Sequence, residues 1–356
     1  TTSATATASK YRQQHMGEEL EEERDRGVGE VEVAVANEGD GASGKAKVID
    51  EPLTLSEVES CDILEFITDL AKDKSRFRLL QRTLTKGPSE VAQLLLKKAG
   101  PFVTQLASDQ CGNYITQKVL EAADDDFFRK SFEELRGCLL ELSQDPHGTR
   151  VAQKVVEEAV RRGMVDELLE ALPTQDMSSL ACSVTGFHVV VKLLELLPDG
   201  MVEPLLETFC SNPKPLASDQ WGCCVLKKCI DRSQGTLRDR LVDTITENIP
   251  QLVEDPFGNY VVQHLILMGE KRPTEYVTRV IDSLQGLMLD LCFQKFSSNV
   301  LEKCLQNSSD SDRNKIINEL LNGSEKCPPS EAVRKIIFHQ FGNYVFQQAL
   351  EVAQEP

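Results

Sequence analysis

From about residue 56 onward, apolar residues recur at intervals of three and four positions, with polar residues between them. This spacing is typical of amphipathic α-helices, and no alternating strand pattern interrupts it. Prolines separate the helical stretches, as at Pro198, Pro213 and the pair Pro328-Pro329. The pattern therefore predicts an all-α region built from many short helices.

The first 55 residues lack this pattern. They are rich in Thr, Ala, Gly and Glu and contain one aromatic residue, Tyr11. Such a segment has too little apolar surface to form a core. We predict a disordered acidic N-terminal tail over residues 1–55 and a single helical domain over residues 56–356.

A short motif recurs within the helical region, most clearly from Asp109 to Lys118 and from Asp255 to His264. The residue after the motif glycine, or after its counterpart, falls at positions 75, 113, 149, 187, 223, 259, 298 and 343. The steps are 38, 36, 38, 36, 36, 39 and 45 residues, and we attribute the last to an inserted loop near residues 322–330. Eight units of this size predict a solenoid, because one repeat alone cannot bury its apolar face.

Each motif predicts a helix with two faces. We number each repeat from the residue after the motif glycine, which is position 1. Apolar residues at positions 3, 7 and 8 are expected to face the core, whereas positions 1, 2, 5 and 6 share the opposite side. In stacked repeats these four positions form one strip along the molecule. An aspartate three residues before the motif glycine, as at Asp109, is expected to cap the helix start rather than to bind a ligand.

The net charge of −18 looks unfavourable for binding nucleic acid. Residues 1–60 account for −8 of it (14 acidic and 6 basic), which leaves −10 on the repeats. Position 6 differs from this background, since it is basic in six consecutive repeats: Lys118, Lys154, Lys192, Lys228, His264 and Lys303. Because a local surface governs binding, this row predicts a track that contacts a phosphate backbone.

Planar side chains recur at position 2. The eight residues at this position are Arg76, Tyr114, Arg150, His188, Cys224, Tyr260, Asn299 and Tyr344. Planar groups at repeat spacing can stack between successive bases, and each is worth about 1–3 kcal/mol. Packing alone would account for one tyrosine but not for its replacement by Arg and His.

Other features narrow the class of protein. The eleven cysteines include no Cys-x-x-Cys pair, which favours reduced thiols in an intracellular, cytoplasmic protein. The five histidines are dispersed, and no phosphate loop, catalytic triad or metal-ligand spacing occurs, so we expect neither an enzyme nor a cofactor. We also expect no membrane span or signal peptide. The chain lacks an initiator Met and is expected to be a fragment or a processed product.

The motifs closely resemble the Pumilio (PUF) family of single-stranded RNA-binding proteins over about residues 56–356. The run from Ser297 to Cys304 is similar to the family's seventh repeat almost residue for residue. The resemblance implies a right-handed α-solenoid of eight Pumilio-type repeats in a curved crescent. It also implies a monomer that binds single-stranded mRNA and represses or destabilises it through unidentified protein co-repressors.

The resemblance further implies that positions 1 and 5 of each repeat read the edge of one base. Uracil, with one N–H between two carbonyls, suits paired amides, and the two donors of guanine suit a carboxylate. Adenine has one donor beside one acceptor, which matches a Gln amide. The implied pairs are Asn113/Gln117, Asn259/Gln263 and Asn343/Gln347 for uracil, Ser298/Glu302 for guanine and Thr149/Gln153 for adenine.

The family binds RNA antiparallel to the protein, so these pairs predict the element 5′-UGUNNAUN. Three repeats depart from the pattern. Phe187 and Val191 in the fourth repeat offer no hydrogen bond to a base. In the fifth repeat, Cys223 resembles adenine-reading repeats but Lys227 stands where Gln is expected. In the first repeat Leu79 replaces Gln, which leaves the preference of Ser75 and Arg76 open.

Two alternatives stay open. The weakened first, fourth and fifth repeats are compatible with a Pumilio-like protein of weakly specific RNA affinity. A helical-repeat scaffold that binds a protein or peptide would instead require an apolar or charge-complementary groove, and it does not account for a lysine row beside paired amides.

Overall fold

A computed structural model describes residues 53–72, 74–86, 89–268, 275–323 and 327–353. The side chains of residues 70–72, 74–76, 86 and 89 are not described. The predicted acidic tail therefore lies outside the described residues except for residues 53–55. The predicted contacts of Ser75 and Arg76 also rest on side chains outside that set.

A cycle of three helices repeats along the described ranges, which contain no strand. Two helices precede the cycle, α1 (Leu55–Ser60) and α2 (Ile63–Lys72). The motif helices carry the recurring motif and are α3 (Lys74–Lys86), α6 (Gly112–Ala122), α9 (Gly148–Arg161), α12 (Gly186–Leu196), α15 (Gly222–Arg232), α18 (Gly258–Leu267), α21 (Ser297–Asn307) and α24 (Gly342–Ala353).

Two further helices separate successive motif helices. The flanking helices come first: α4 (Ser89–Ala99), α7 (Asp125–Leu135), α10 (Val165–Ala171), α13 (Asp199–Cys210), α16 (Gly235–Glu247), α19 (Glu275–Ser283) and α22 (Asp310–Asn322). The connecting helices follow: α5 (Val103–Leu106), α8 (Leu139–Gln144), α11 (Met177–Ala181), α14 (Pro213–Ala217), α17 (Ile249–Leu252), α20 (Met288–Leu291) and α23 (Pro329–Phe338). Short 3-10 turns at residues 100–102, 136–138 and 174–176 lead into or lie just before the first three of these.

The repeats stack side by side. Each motif helix from α6 to α24 packs against the next, and the flanking helices α13, α16, α19 and α22 do the same. Positions 3, 4, 7 and 8 are buried in every repeat from the second to the seventh, so the apolar side chains form one core that continues from repeat to repeat. The all-α solenoid predicted from the sequence is confirmed.

Each motif helix begins at a tight corner. Asp109 accepts hydrogen bonds from the backbone N–H groups of Cys111 at 2.9 Å and Gly112 at 2.6 Å, and Asp145, Asp219 and Asp255 do the same in their repeats. The carboxylates thus satisfy N–H groups that the helix itself leaves unpaired, which confirms the predicted capping role.

The motif glycine allows the corner to close. A Cβ atom added to Gly222 would lie 2.7 Å from the Leu216 carbonyl oxygen, where no side chain fits. In the seventh repeat Ser297 replaces the glycine, and its hydroxyl donates a 2.7 Å hydrogen bond to the corresponding carbonyl of Leu291. Close packing at this point therefore recurs from the second to the eighth repeat, and serine accommodates it by bonding to the oxygen.

The long last step has a structural reason. The connecting helix α23 has ten residues, whereas the other connecting helices have four to six. Gly323, which ends α22, adopts a φ of +71° that favours glycine. The additional residues before the eighth motif therefore include extra helix as well as a loop. No helix within the described ranges is long and apolar enough to span a membrane.

Candidate nucleic-acid interface

The strip formed by positions 1, 2, 5 and 6 lies on one face of the stacked motif helices. Positions 2, 5 and 6 are half-buried in each repeat from the second to the seventh, beside the buried positions 3, 4, 7 and 8. Position 1 is buried in the same repeats. Contacts join strip residues to the neighbouring repeat: the Tyr114 ring lies 6.1 Å from the Phe77 ring, and Thr149 Oγ1 donates to the Thr185 carbonyl at 3.0 Å. The structure thus places positions 2, 5 and 6 at the surface of the motif helices and position 1 beneath them.

The second and sixth repeats hold their amide pairs in the same way. Asn113 Nδ2 donates to the carbonyls of Asp109 at 2.8 Å and Gln110 at 2.9 Å, and Gln117 Nε2 donates to Asn113 Oδ1 at 3.2 Å. Asn259 and Gln263 make the equivalent contacts in the sixth repeat, at 2.8, 2.9 and 2.9 Å. Two distant repeats therefore present the same local geometry.

This geometry refines the roles predicted for the two amides. Both N–H donors of Asn113 are used on backbone carbonyls, and the side chain is buried. Because an amide nitrogen has two donors, Asn113 keeps only its oxygen for another partner. Gln117 is half-buried, and its Nε2 donates both to Asn113 Oδ1 at 3.2 Å and to the Asn113 carbonyl at 3.3 Å, which leaves its own carbonyl oxygen without a partner among the described residues. Position 1 thus anchors the pair to the helix start, and position 5 is held against position 1.

In the third and seventh repeats a hydroxyl group occupies position 1. Thr149 donates across to the next repeat, and Gln153 Nε2 donates to the Thr149 carbonyl at 3.3 Å. Ser298 is fully buried and donates to the Lys295 carbonyl at 3.3 Å, while Glu302 at position 5 is half-buried. In the eighth repeat, Asn343 is half-buried and Gln347 is exposed.

The fourth repeat replaces hydrogen bonds with aromatic packing. The Phe187 ring stacks on Trp221 of the next repeat at 4.8 Å with an interplanar angle of 21°, and it lies 3.9 Å from the His188 ring. Burial, helped by the charge of Arg150, lowers the pKa of His188 to about 4, so its imidazole is neutral near pH 7. This part of the strip offers apolar surface at positions 1 and 5.

The fifth repeat presents a thiol and an amine. Cys223 is buried, and its thiol donates to the Gln220 carbonyl at 3.3 Å. A hydrogen bond with Cys224, together with burial, raises the pKa of Cys223 far above its ordinary value, so it stays a thiol. Lys227, which is half-buried, is the polar side chain at position 5 of this repeat.

The position-2 side chains are half-buried on the same strip. Burial raises the pKa values of the Tyr114 and Tyr260 hydroxyls, so both rings are neutral. Asn299 donates to the Lys295 carbonyl at 3.4 Å. Arg150 lies near enough to His188 to lower its pKa. The position-2 groups of the third and fourth repeats are therefore close enough to interact.

The lysine row at position 6 is paired with a row of acids that the sequence reasoning missed. These acids occupy position 9 of the second to fifth repeats: Glu121, Glu157, Glu195 and Asp231. Lys118 and Lys154 pair with the acid of their own repeat, whereas Lys192, Lys228 and His264 pair with the acid of the preceding repeat. Counting three residues on from position 6 in each of these repeats locates the acids in the sequence.

No group of three or more His, Cys, Asp or Glu side chains within the described part of the chain is placed to hold a metal ion. The eleven cysteines are free thiols. The polar strip is therefore the feature in which the sequence motif, the repeat geometry and the candidate binding groups coincide.

Known proteins share these repeats. A family model described as the Pumilio-family RNA binding repeat matches residues 102–134, 138–169, 215–246, 248–267, 288–321 and 333–356. The chain belongs to the Pumilio family. The motif helices of the second, third and fifth to eighth repeats fall in these six segments, whereas the aromatic Pumilio repeat around Phe187 lies outside them.

Pumilio relatives match most of the described repeats. Pumilio homolog 12 of Arabidopsis thaliana is 34% identical over 285 residues, which are 79% of this chain and 46% of the relative. A Pumilio domain-containing protein of Schizosaccharomyces pombe is 29% identical over 296 residues, 83% of this chain and 41% of the relative. The chain thus spans about half the length of the curated relatives it matches.

Solved Pumilio structures have the same fold. The Puf4 RNA-binding domain bound to the 3′ UTR recognition sequence of the HO endonuclease RNA superposes with a TM-score of 0.69 at 29% identity, and covers 81% of this chain and 87% of its own. The Puf3 domain bound to a Cox17 3′ UTR sequence gives a TM-score of 0.73 at 23% identity, covering 85% and 86%, which supports the fold alone.

Proposed function

We propose that this Pumilio chain binds single-stranded mRNA sequence-specifically, one base per repeat, at an element resembling 5′-UGUNNAUN. One observation carries the proposal: base-edge, stacking and cationic side chains occur at the same positions of successive, stacked repeats. Stacking supplies affinity that depends little on sequence, and the base-edge groups supply selection. The Puf4 and Puf3 domains, which share the fold, were solved with 3′ UTR recognition sequences.

Base selection is expected to be strongest at the 5′ end of the element, where three consecutive repeats carry base-edge pairs. In the antiparallel arrangement, Asn343/Gln347 meets the first U, Ser298/Glu302 the G and Asn259/Gln263 the second U. Thr149/Gln153 and Asn113/Gln117 then meet the A and the last U. Between them, the phenyl ring of Phe187 and the Cys223/Lys227 pair face the two unspecified bases, which explains why no base is assigned there.

We place the biological role in post-transcriptional regulation, namely translational repression or mRNA decay in the cytoplasm, through protein co-repressors of unknown identity. The described part of the chain offers a surface for RNA but no catalytic constellation, so an effect on mRNA requires partners. The chain is proposed to act as a monomer, since one strip holds all the base-edge positions.

The test is a binding comparison between two RNAs that differ at three bases. An RNA carrying UGUNNAUN is expected to bind at least about tenfold more tightly than the same RNA with UGU changed to ACA, since each good base contact is worth about 1–3 kcal/mol. Fluorescence anisotropy at physiological salt would measure both affinities. Equal affinities would contradict sequence-specific binding.

A second candidate function is weakly specific RNA binding by the same strip. The observation that favours it is the loss of base-edge hydrogen-bonding groups at Phe187 and Val191 in the centre of the strip. Selection of bound RNAs from a random pool separates the two functions. A recovered UGU core supports the first, and a pool without a consensus supports the second.

A further inference from the structure

Four lysines of the row are paired with carboxylates of the protein itself. Lys154 Nζ lies 2.6 Å from Glu157, and Lys192 Nζ reaches the other oxygen of the same carboxylate at 2.9 Å. Lys228 lies 2.8 Å from Glu195, and Lys118 lies 2.8 Å from Glu121. Four ammonium groups therefore pair with three carboxylates, while Asp231, the fourth acid of the row, pairs with His264 of the sixth repeat.

The lysine–glutamate ion pairs of the strip are partly shielded from solvent and ionised at neutral pH. The lysine side chains are 22–29% exposed and their glutamate partners 33–49%, so the pairs are partly shielded from water. Burial alone would raise the pKa of Glu157, but hydrogen bonds from Lys154 and Lys192 outweigh it and hold the pKa below its ordinary value. Glu157 therefore stays ionised at neutral pH.

The acid row covers only part of the strip. At position 9 the sixth repeat has Leu267 and the seventh has Gln306. Lys303 of the seventh repeat makes no ion pair with any other described residue. The compensated segment thus runs from the second repeat to His264 of the sixth, and it includes the fourth and fifth repeats, two of the three that carry no base assignment.

We propose that Glu121, Glu157 and Glu195 damp the attraction between the lysine row and RNA phosphates, so that binding draws little on sequence-independent charge. This inference rests on the proposed function, since it concerns the same strip. The physical reason is counterion release: a lysine that neutralises a single-strand phosphate steepens the dependence of log affinity on log salt by about 0.7. A lysine already paired with a carboxylate contributes less, because the phosphate must displace that partner.

The experiment removes the three charges without changing side-chain shape. The triple variant Glu121→Gln, Glu157→Gln, Glu195→Gln is expected to steepen the salt slope by about 2, three charges at about 0.7 each. Affinity for the ACA-substituted RNA should rise by about tenfold at low salt. The UGU-containing RNA should gain by a similar factor, because both RNAs carry the same phosphates.

A matched control separates local from overall charge. Glu134, Glu203 and Glu247 are exposed on flanking helices, and changing all three to Gln alters the net charge by the same +3. The control variant should keep the wild-type salt slope. Circular dichroism and thermal melting of both variants check that each is folded.

The outcomes are distinct. A steeper slope in the strip variant alone supports the damping role. An unchanged slope, an equal change in the control, or weaker binding of both RNAs by the strip variant would overturn it, the last by showing that the acids only position the lysines. Failure of the proposed function appears elsewhere, as a wild-type protein with no preference for UGU over ACA.

Discussion

The second and sixth repeats anchor the side chain at position 1 through hydrogen bonds, whereas the fourth repeat anchors it through aromatic packing. Asn113 and Asn259 tie position 1 to two backbone carbonyls of their own helix start, with distances that agree within 0.1 Å. In the fourth repeat Ser183 replaces the capping aspartate, its bond to the Gly186 N–H lengthens to 3.3 Å, and Phe187 packs on Trp221 instead. The motif helices of the second, fourth and sixth repeats nevertheless all pack against their neighbours in the same stack.

The comparison shows that the scaffold needs position 1 to be anchored but does not require a polar side chain there. A buried ring that contacts the next repeat replaces the two hydrogen bonds. Base reading, by contrast, requires the polar side chain. Stability and base selection are therefore separable properties of the same position, and substitutions can test each.

The largest effect on stability is expected for Phe187→Ala. The ring is 9% exposed and stacked on Trp221, so its removal should lower the free energy of unfolding by about 3 kcal/mol. Denaturant unfolding would measure the loss. Selection at the fifth base should not change, because the ring offers no hydrogen bond. A wild-type preference at that base that disappears in the variant would contradict this separation.

Asn259→Ala should disturb both properties. Losing the two hydrogen bonds to Asp255 and Pro256 should cost about 1–3 kcal/mol of stability, and Gln263 loses the oxygen that holds it. Preference for uracil at the third base should fall, as measured with RNAs substituted at each base. Asn113→Ala is the matched variant and should alter the seventh base instead. If both variants alter the same base, the register is wrong.

The fold was predictable because it depends on periodicity. The interval between motifs identified the eight motif helices, and the apolar positions 3, 7 and 8 identified the core. The strip was predictable for the same reason. The acid row was predictable in principle, since Glu121 and Glu157 recur at one position, but only the structure shows that these acids pair with the lysines of position 6.

Other features depend on contacts between repeats that no sequence interval reveals. Nothing in the sequence pairs Phe187 with Trp221 or directs Thr149 to a carbonyl of the next repeat. The anchoring role of Asn113 also emerges only from the geometry of its helix start, where two carbonyls converge on one amide. The residue type predicted that Asn113 forms hydrogen bonds, and the structure shows that its two donors go to backbone carbonyls.

The seventh repeat extends the comparison to a charged reader. Glu302→Gln keeps the shape of the side chain but replaces one acceptor oxygen with a donor group, which faces a donor of guanine. Selection for G at the second base should therefore weaken by about tenfold, within the roughly 1–3 kcal/mol of a bidentate contact. Binding to RNAs carrying each base at that place would measure it. An unchanged preference for G would show that Glu302 is not the reader.

The smallest effect concerns pH and the ring beside Phe187. The pKa of His188 is about 4 in the folded protein, below its ordinary value of 6.5, because of burial and then Arg150. The unfolded chain therefore binds a proton more readily, so the stability linked to His188 is complete above about pH 6.5 and is lost as pH falls towards 4. His188→Phe keeps a ring but cannot titrate. Its denaturant midpoint should fall less than that of the wild type between pH 7 and pH 4.5. Equal decreases in the two proteins would show that the half-buried imidazole of His188 does not have a lowered pKa.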